Sequence, residues 1–147
     1  MNQSPPPLFV VDDDAIVFMM INRMVRKRKI DVDVKEVELA SILLDDLKIS
    51  SNEVNSGIIL LDINMPQMDG WTFIEHLIIQ RIDCPHRIYM HSSSDSTIDV
   101  NRAKSYEGIV HGYIAKNISP ETLIKLLETN NTSSFDKNQF IYLKEGW

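Results

Sequence analysis

The feature that most constrains the fold is an alternation of short apolar runs with longer segments of helical period. There are five such runs: Leu8–Val11, about Asp33–Val37, Ile58–Leu61, Arg87–Met90 and Val110–Ala115. Nearly continuous apolar runs of this length are typical of strands that are buried on both faces of a parallel sheet and joined by crossover helices. In a chain of 147 residues, five strand–helix units predict one α/β domain with a doubly wound five-stranded sheet.

The intervening segments carry apolar residues at spacings of three and four, which predicts amphipathic helices. The first of these segments has a broad apolar stripe that we expect to be core: Ile16, Met19, Met20, Met24 and Val25. The stretch from Thr97 to Tyr106 is the weakest helix, anchored by Ile98, Ala103 and Tyr106. Before the last helix, Ser119 is a candidate N-cap and Pro120 suits the first helical position.

Composition narrows the setting and the class of protein. A net charge of −6 and a pI near 5.1 argue against direct nucleic-acid binding. No apolar stretch is long enough to enter and cross a membrane, and Met1–Pro7 does not resemble a secretion signal. The single cysteine, Cys84, cannot form an internal disulfide and fits a reducing compartment. We therefore expect a cytoplasmic protein.

The predicted boundaries are a disordered lead-in at residues 1–7, a domain at residues 8–129 and a polar tail at residues 130–147. The tail holds scattered aromatic residues and is too short to be an output domain. Whether it packs on the body of the domain is left open by its sequence.

Polar side chains follow four of the predicted strands at one edge of the sheet. They are Asp12–Asp14 after the first strand, Asp62 after the third, Ser92 after the fourth and Lys116 after the fifth. Each has an ordinary explanation as a helix cap, a turn former or a solvated residue, but the coincidence of all four favours a shared site. Carboxylates about 4 Å apart repel by roughly 4 kcal/mol at an effective dielectric near 20, so such a cluster needs a cation. The pattern predicts a magnesium-dependent phosphate site.

The same residues form a recognisable signature. An acidic pair, Asp12-Asp13, precedes a D-x-x-M-P-x-x-D-G motif that runs from Asp62 to Gly70, and Ser92 and Lys116 follow in order. Over about Leu8 to Glu128 the chain resembles the receiver domain of two-component response regulators, of the stand-alone, single-domain type. This resemblance implies a flavodoxin-like sheet with strand order 2-1-3-4-5 and helices on both faces.

The resemblance also implies a mechanism. Asp62 is expected to be the phosphoacceptor, taking a phosphoryl group from the phosphohistidine of a histidine kinase or a histidine phosphotransfer protein. Mg²⁺ is the expected cofactor, bound directly by Asp13 and Asp62, through water by Asp12, and by the backbone carbonyl of Asn64.

Further roles follow from the same resemblance. Lys116 and Ser92 are expected to contact phosphoryl oxygens. Ser92 and Tyr113 are expected to form the switch, with the Tyr113 ring rotating inward after phosphorylation to alter a face that binds an unknown downstream protein. The family usually has Lys-Pro where this chain has Lys116-Asn117, and a trans peptide bond is expected there.

Several alternatives stay open. A degenerate receiver could bind partners without being phosphorylated. An aspartyl-phosphate phosphatase would use an Asp-x-Asp motif, which Asp12–Asp14 contains, and a flavin-binding carrier would need a phosphate loop that this chain lacks. The main interpretation is a signalling module, not an enzyme. The basic run at Arg23, Arg26 and Lys27–Lys29 is read as a solvated helix end, with partner docking as the other possibility.

Overall fold

The computed structural model describes residues 4–49, 55–94, 96–130 and 140–143. Within these residues, strands and helices alternate along the chain. Their bounds are β1 (Pro7–Val11), α1 (Ala15–Lys27), β2 (Asp33–Val37), α2 (Ala40–Ile49), β3 (Ile58–Asp62), α3 (Gly70–Ile79), β4 (Arg87–Ser92), α4 (Thr97–Ser105), β5 (Val110–Ala115), α5 (Pro120–Asn130) and β6 (Ile141–Leu143).

The strands form one parallel sheet in the order β2-β1-β3-β4-β5-β6. The predicted flavodoxin-like fold is confirmed, and the order of its five expected strands is correct. Two details differ. A sixth strand, β6, lies in the predicted tail, and β1 begins at Pro7, the last residue of the predicted lead-in.

The core consists of two apolar clusters, one on each face of the sheet. One contains buried side chains of α1 and α5, and the other contains those of α2, α3 and α4. Strand β3 contributes to both, with Ile58 and Leu60 on the α1–α5 face and Ile59 and Leu61 on the opposite face. Because β3 packs on both sides, its sequence is apolar at successive positions. The same alternation places the Asp62 side chain on the α1–α5 face, with Ile58 and Leu60.

The prediction of a core stripe on α1 is wrong for three of its five residues. Ile16, Met19 and Met20 are 62%, 63% and 59% exposed, whereas Ile21 and Val25 face the sheet. The helix has apolar residues on more than one face, and packing against the sheet covers only one of them. A similar error affects α4, where Ile98 is exposed and Val100 with Ala103 anchors the helix.

None of the described helices is both long enough and apolar enough to span a bilayer.

Candidate functional site at the carboxyl edge of the sheet

Asp12 and Asp62 meet because β1 and β3 are adjacent and parallel. Their side chains continue the alternation of Val10 and Leu60, which pack on the α1–α5 face. Both carboxylates are deeply buried, each residue being 3% exposed. Asp12 is held by a backbone bond from its N–H to the carbonyl of Val37, 3.0 Å long. The sheet thus places two carboxylates side by side in a region with little access to water.

Lys116 follows β5 and links the two acids. Its Nζ lies 3.0 Å from Oδ2 of Asp12 and 3.1 Å from Oδ1 of Asp62. Asp13 is exposed, and its carboxylate completes a group of three whose oxygens lie within 4.8 Å of one another. Three carboxylates against one ammonium leave two negative charges in this group. Clustered oxygen ligands with excess negative charge suit a hard divalent cation such as Mg²⁺.

The charges at this edge are not fully compensated. Burial and then the negative charge of Asp12 raise the pKa of Asp62, while Lys116 and a hydrogen bond with the backbone of Asn64 lower it, and the net pKa is about 6. Burial lowers the pKa of Lys116, but its bonds to Asp12 and Asp62 outweigh this and the net pKa is raised. At neutral pH Asp62 is therefore mostly ionised and Lys116 stays protonated.

Ser92 ends β4 and is joined to Lys116 through the backbone. The N–H of Lys116 donates to the carbonyl of Ser92 at 3.0 Å. The buried Ser92 hydroxyl accepts a bond from the N–H of Ser94, 3.1 Å long. The hydroxyl and the ammonium that were predicted to act together thus sit on neighbouring, directly bonded backbone positions.

Tyr113 already has its ring inside the protein. It is 1% exposed, and its hydroxyl donates to the carbonyl of Ser94 at 2.8 Å. The ring of Tyr142 on β6 lies against it, with centroids 6.0 Å apart and ring planes at 65°. The Tyr113 ring is therefore buried between the loop after β4 and β6 in this structure, and its rotation on phosphorylation stays a prediction.

The other residues of the signature have structural positions. Asp14 caps α1 by accepting a bond from the N–H of Ile16, 3.0 Å long, so it is not available as the second acid of a phosphatase motif. Asp69 caps α3 in the same way through the N–H of Thr72 at 2.8 Å. Asn64 lies exposed in the loop after β3. None of the described peptide bonds is cis, so the expectation for Lys116-Asn117 is confirmed.

Sequence reasoning gave no role to His91, which is the cross-strand neighbour of Asp62. It is buried, and neither ring nitrogen has a hydrogen-bond partner among the described residues. Burial, and then the charge of Lys116, lower its pKa to about 3, so the ring is neutral. A sequence signal for this position exists, because His91 comes directly before Ser92. Neighbouring residues of a strand face opposite sides of the sheet, so the His91 side chain lies on the other face of β4 from Ser92 and beside Asp62 on the adjacent strand.

Known proteins match this chain over most of its length. The family model for the response regulator receiver domain matches residues 8–128. The chemotaxis protein CheY of Bacillus subtilis is 31% identical over 114 residues, which cover 76% of this chain and 89% of that protein. The two-component response regulator ORR26 of rice is 31% identical over 119 residues, covering 79% of this chain but 18% of the relative.

Solved structures agree on the fold. A response regulator receiver protein from Dyadobacter fermentans superposes with a TM-score of 0.71 at 22% identity, covering 83% of this chain and 94% of that one. With the family match and the geometry of Asp12, Asp13, Asp62 and Lys116, the chain belongs to the response regulator receiver domains. The predicted family is confirmed, while the chain spans less than a fifth of the rice relative.

Proposed function

We propose that the protein is the phosphoacceptor receiver of a two-component His–Asp phosphorelay. Asp62 takes a phosphoryl group from a partner phosphohistidine and thereby switches a face that binds a partner protein. The observation that carries this proposal is the contact of Lys116 Nζ with both Asp12 and Asp62, next to a third carboxylate. A buried, ionised carboxylate beside a fixed ammonium suits a nucleophile whose product is a dianion.

In the transfer step an Asp62 oxygen attacks phosphorus in line with the phosphorus–nitrogen bond of the phosphohistidine. The new oxygen–phosphorus bond forms as the phosphorus–nitrogen bond breaks, and the imidazole leaves with the electron pair. Lys116 is freed from Asp62 Oδ1 to pair with a phosphoryl oxygen, and the Ser92 hydroxyl donates to another. Asp12, Asp13, Asp62 and the Asn64 carbonyl are the groups that would hold Mg²⁺, which neutralises phosphoryl charge when bound.

The exposed outer face of α1 supports a protein donor. Ile16, Met19 and Met20 are exposed near the start of α1, which begins two residues after Asp13, and Arg23 lies about one turn further along the helix. Apolar side chains exposed together on a monomer mark interaction sites. The partner that fits is a protein with an apolar surface beside its phosphohistidine and acidic residues facing Arg23. In this proposal the chain is a signalling module that assists its own phosphorylation and dephosphorylation, not an enzyme.

The test is the intact mass of the protein after treatment with acetyl phosphate and Mg²⁺. Wild type is expected to gain one phosphoryl group and Asp62→Asn none. Asp83→Asn, at an exposed position near the other end of the sheet, is the matched control and should react like wild type. Equal adducts on Asp62→Asn would move the nucleophile elsewhere. A folded wild type that gains no phosphoryl group with either acetyl phosphate or a phosphohistidine donor would favour the degenerate receiver.

A further inference from the structure

The sixth strand extends the sheet at the edge next to Tyr113. β6 pairs with β5 in parallel, with Gly112 opposite Ile141, Tyr113 opposite Tyr142 and Ile114 opposite Leu143. Side chains of this segment alternate between the two apolar clusters. Phe140 and Tyr142 contact the α2–α4 side, and Ile141 and Leu143 contact the α1–α5 side. The segment therefore completes both faces of the core at this edge.

The β5 edge is shaped to receive this strand. A Cβ atom at Gly112 would lie 2.4 Å from the carbonyl oxygen of Ile141 and 2.7 Å from the ring of Tyr89. Real Cβ atoms do not approach so closely, so only glycine lets the two backbones come together here. On α4, the ammonium of Lys104 lies 5.9 Å from the ring centre of Phe140, which adds a cation–π contact.

A continuous set of contacts runs from β6 to the functional site. The Tyr142 ring packs against the Tyr113 ring, and the Tyr113 hydroxyl is bonded to the Ser94 carbonyl. The N–H of Ser94 in turn donates to the Ser92 hydroxyl. Each link is a direct contact between neighbouring groups, so Tyr142 is connected to Ser92 through only two intermediate residues, Tyr113 and Ser94.

We propose that β6 is a built-in ligand of the β5 edge that keeps Tyr113 buried and thereby regulates the loop after β4. Of the two strands that pair with β5, β6 is the less buried, since all three of its residues are partly exposed. A protein that binds at this edge of the sheet must therefore displace β6. The coupling to phosphorylation rests on the function proposed above. Because linkage is reciprocal, the change that β6 makes to the free energy of phosphoryl binding equals the change that phosphorylation makes to the free energy of β6 docking.

The position of Tyr113 can be tested without phosphorylation. Full-length protein labelled with fluorotyrosine gives four tyrosine resonances, and Tyr113→Phe identifies the one of interest. In Phe140→Ala/Tyr142→Ala the Tyr113 resonance should move and become sensitive to exchange of H₂O for D₂O. The control Ile79→Ala removes an exposed apolar side chain on α3 and should leave the Tyr113 resonance unchanged. A cooperative unfolding transition shows that the variant folds; if the double variant lacks one, Tyr142→Ala alone is used. An unmoved Tyr113 resonance overturns the proposal.

The regulatory part is tested with Mg²⁺ and two reagents. Acetyl phosphate reports whether Asp62 reacts, and beryllium fluoride is a noncovalent phosphoryl analogue whose affinity can be measured. Loss of the β6 contact is expected to weaken binding of the analogue at least about fivefold, the lower end of the usual range for coupling between sites. Equal affinities for the double variant and wild type would contradict the coupling. If wild type does not react at all, the proposed function fails, whereas the fluorine result still decides whether β6 holds Tyr113.

Discussion

Both ends of the sheet carry buried titratable side chains, but only one end satisfies them. At the amino end, His86 accepts a bond from the N–H of Gly57 at 2.9 Å, and His111 accepts one from the N–H of Ile88 at 3.2 Å. At the carboxyl end, Asp12 and Asp62 share a single ammonium. A buried group with a complete partner is explained by stability, whereas surplus charge needs a ligand.

The pKa shifts also differ between the amino and carboxyl ends of the sheet. Burial lowers the pKa of His86 and of His111 to about 4, so both rings are neutral and free to accept through Nδ1. That tautomer places the proton on Nε2, which makes these rings poor metal ligands despite the nearby Cys84. Asp62 instead remains mostly ionised at neutral pH although burial opposes its charge. Substitutions at the amino end should therefore lower stability, and those at the carboxyl end should alter ligand binding.

The largest effect is expected at His86. Replacing it with Ala leaves the Gly57 N–H without a partner and removes the ring that packs 4.9 Å from the Phe9 ring. The free energy of unfolding should fall by about 3 kcal/mol, and Mg²⁺ affinity should not change. Urea denaturation and a Mg²⁺ titration measure the two quantities. His76→Ala, at a less buried hydrogen-bonded histidine on α3, is the control and should lower stability far less. Loss of Mg²⁺ binding in a folded His86→Ala variant would contradict the claim that the amino end of the sheet serves stability alone.

Asp62→Asn should act in the opposite direction. At pH 7 it removes a carboxylate whose ionisation is opposed by burial and by Asp12, so the free energy of unfolding should rise by about 1–2 kcal/mol. The raised pKa also predicts how this gain in the free energy of unfolding depends on pH. The penalty is fully present above about pH 6 and absent below the ordinary pKa of 3.8, so the gain should vanish by pH 3.5. Denaturation curves at both pH values test this, and a gain that persists in acid would assign it to some other cause.

Mg²⁺ binding should weaken on acidification. With a pKa of about 6, the ionised fraction of Asp62 falls from about nine-tenths at pH 7 to about one-tenth at pH 5. Protons then compete with the cation, and affinity should drop about tenfold, which titration calorimetry can measure. The weaker binding left in Asp62→Asn serves as the control and should change much less over the same interval. An affinity that is equal at both pH values in wild type would contradict the raised pKa.

The smallest change is predicted for His91, the one buried histidine that resembles neither region. Its ring is neutral, and its nitrogens lack hydrogen-bond partners among the described residues. Replacing an unsatisfied buried polar group with an apolar side chain of similar size removes a desolvation penalty. His91→Leu should raise the free energy of unfolding by about 1 kcal/mol and leave Mg²⁺ affinity unchanged. A loss of stability would mean that the imidazole makes a favourable contact in solution.

The sheet and the grouping of the site were predictable from local sequence. Strand β3 is apolar at successive positions because helices cover both of its faces, and parallel register then brings the ends of its neighbours to the same edge. The same reasoning predicts that Asp12, Asp62 and Lys116 lie together. It required only the order of the strands and the rule that parallel carboxyl ends share an edge.

Other features depend on tertiary packing that no local pattern encodes. Met19 and Met20 are apolar, but which face of α1 meets the sheet is decided by how the helix is oriented, and exposed apolar residues are common. Strand β6 has only three residues, too few for a reliable alternation signal, and it forms because β5 offers an unpaired edge beside Gly112. The contact between Tyr113 and Tyr142 depends on that strand, so the sequence did not reveal it.

The backbone bond between Lys116 and Ser92 has a consequence for speed. The N–H of Lys116 donates to the carbonyl of Ser92, so the distance between the backbone positions that carry their side chains is fixed when the chain folds. In the proposed function, the phosphoryl group would meet two contacts whose spacing is already set, and little orientational freedom would be lost during transfer. Such a site would suit a donor that stays bound only briefly.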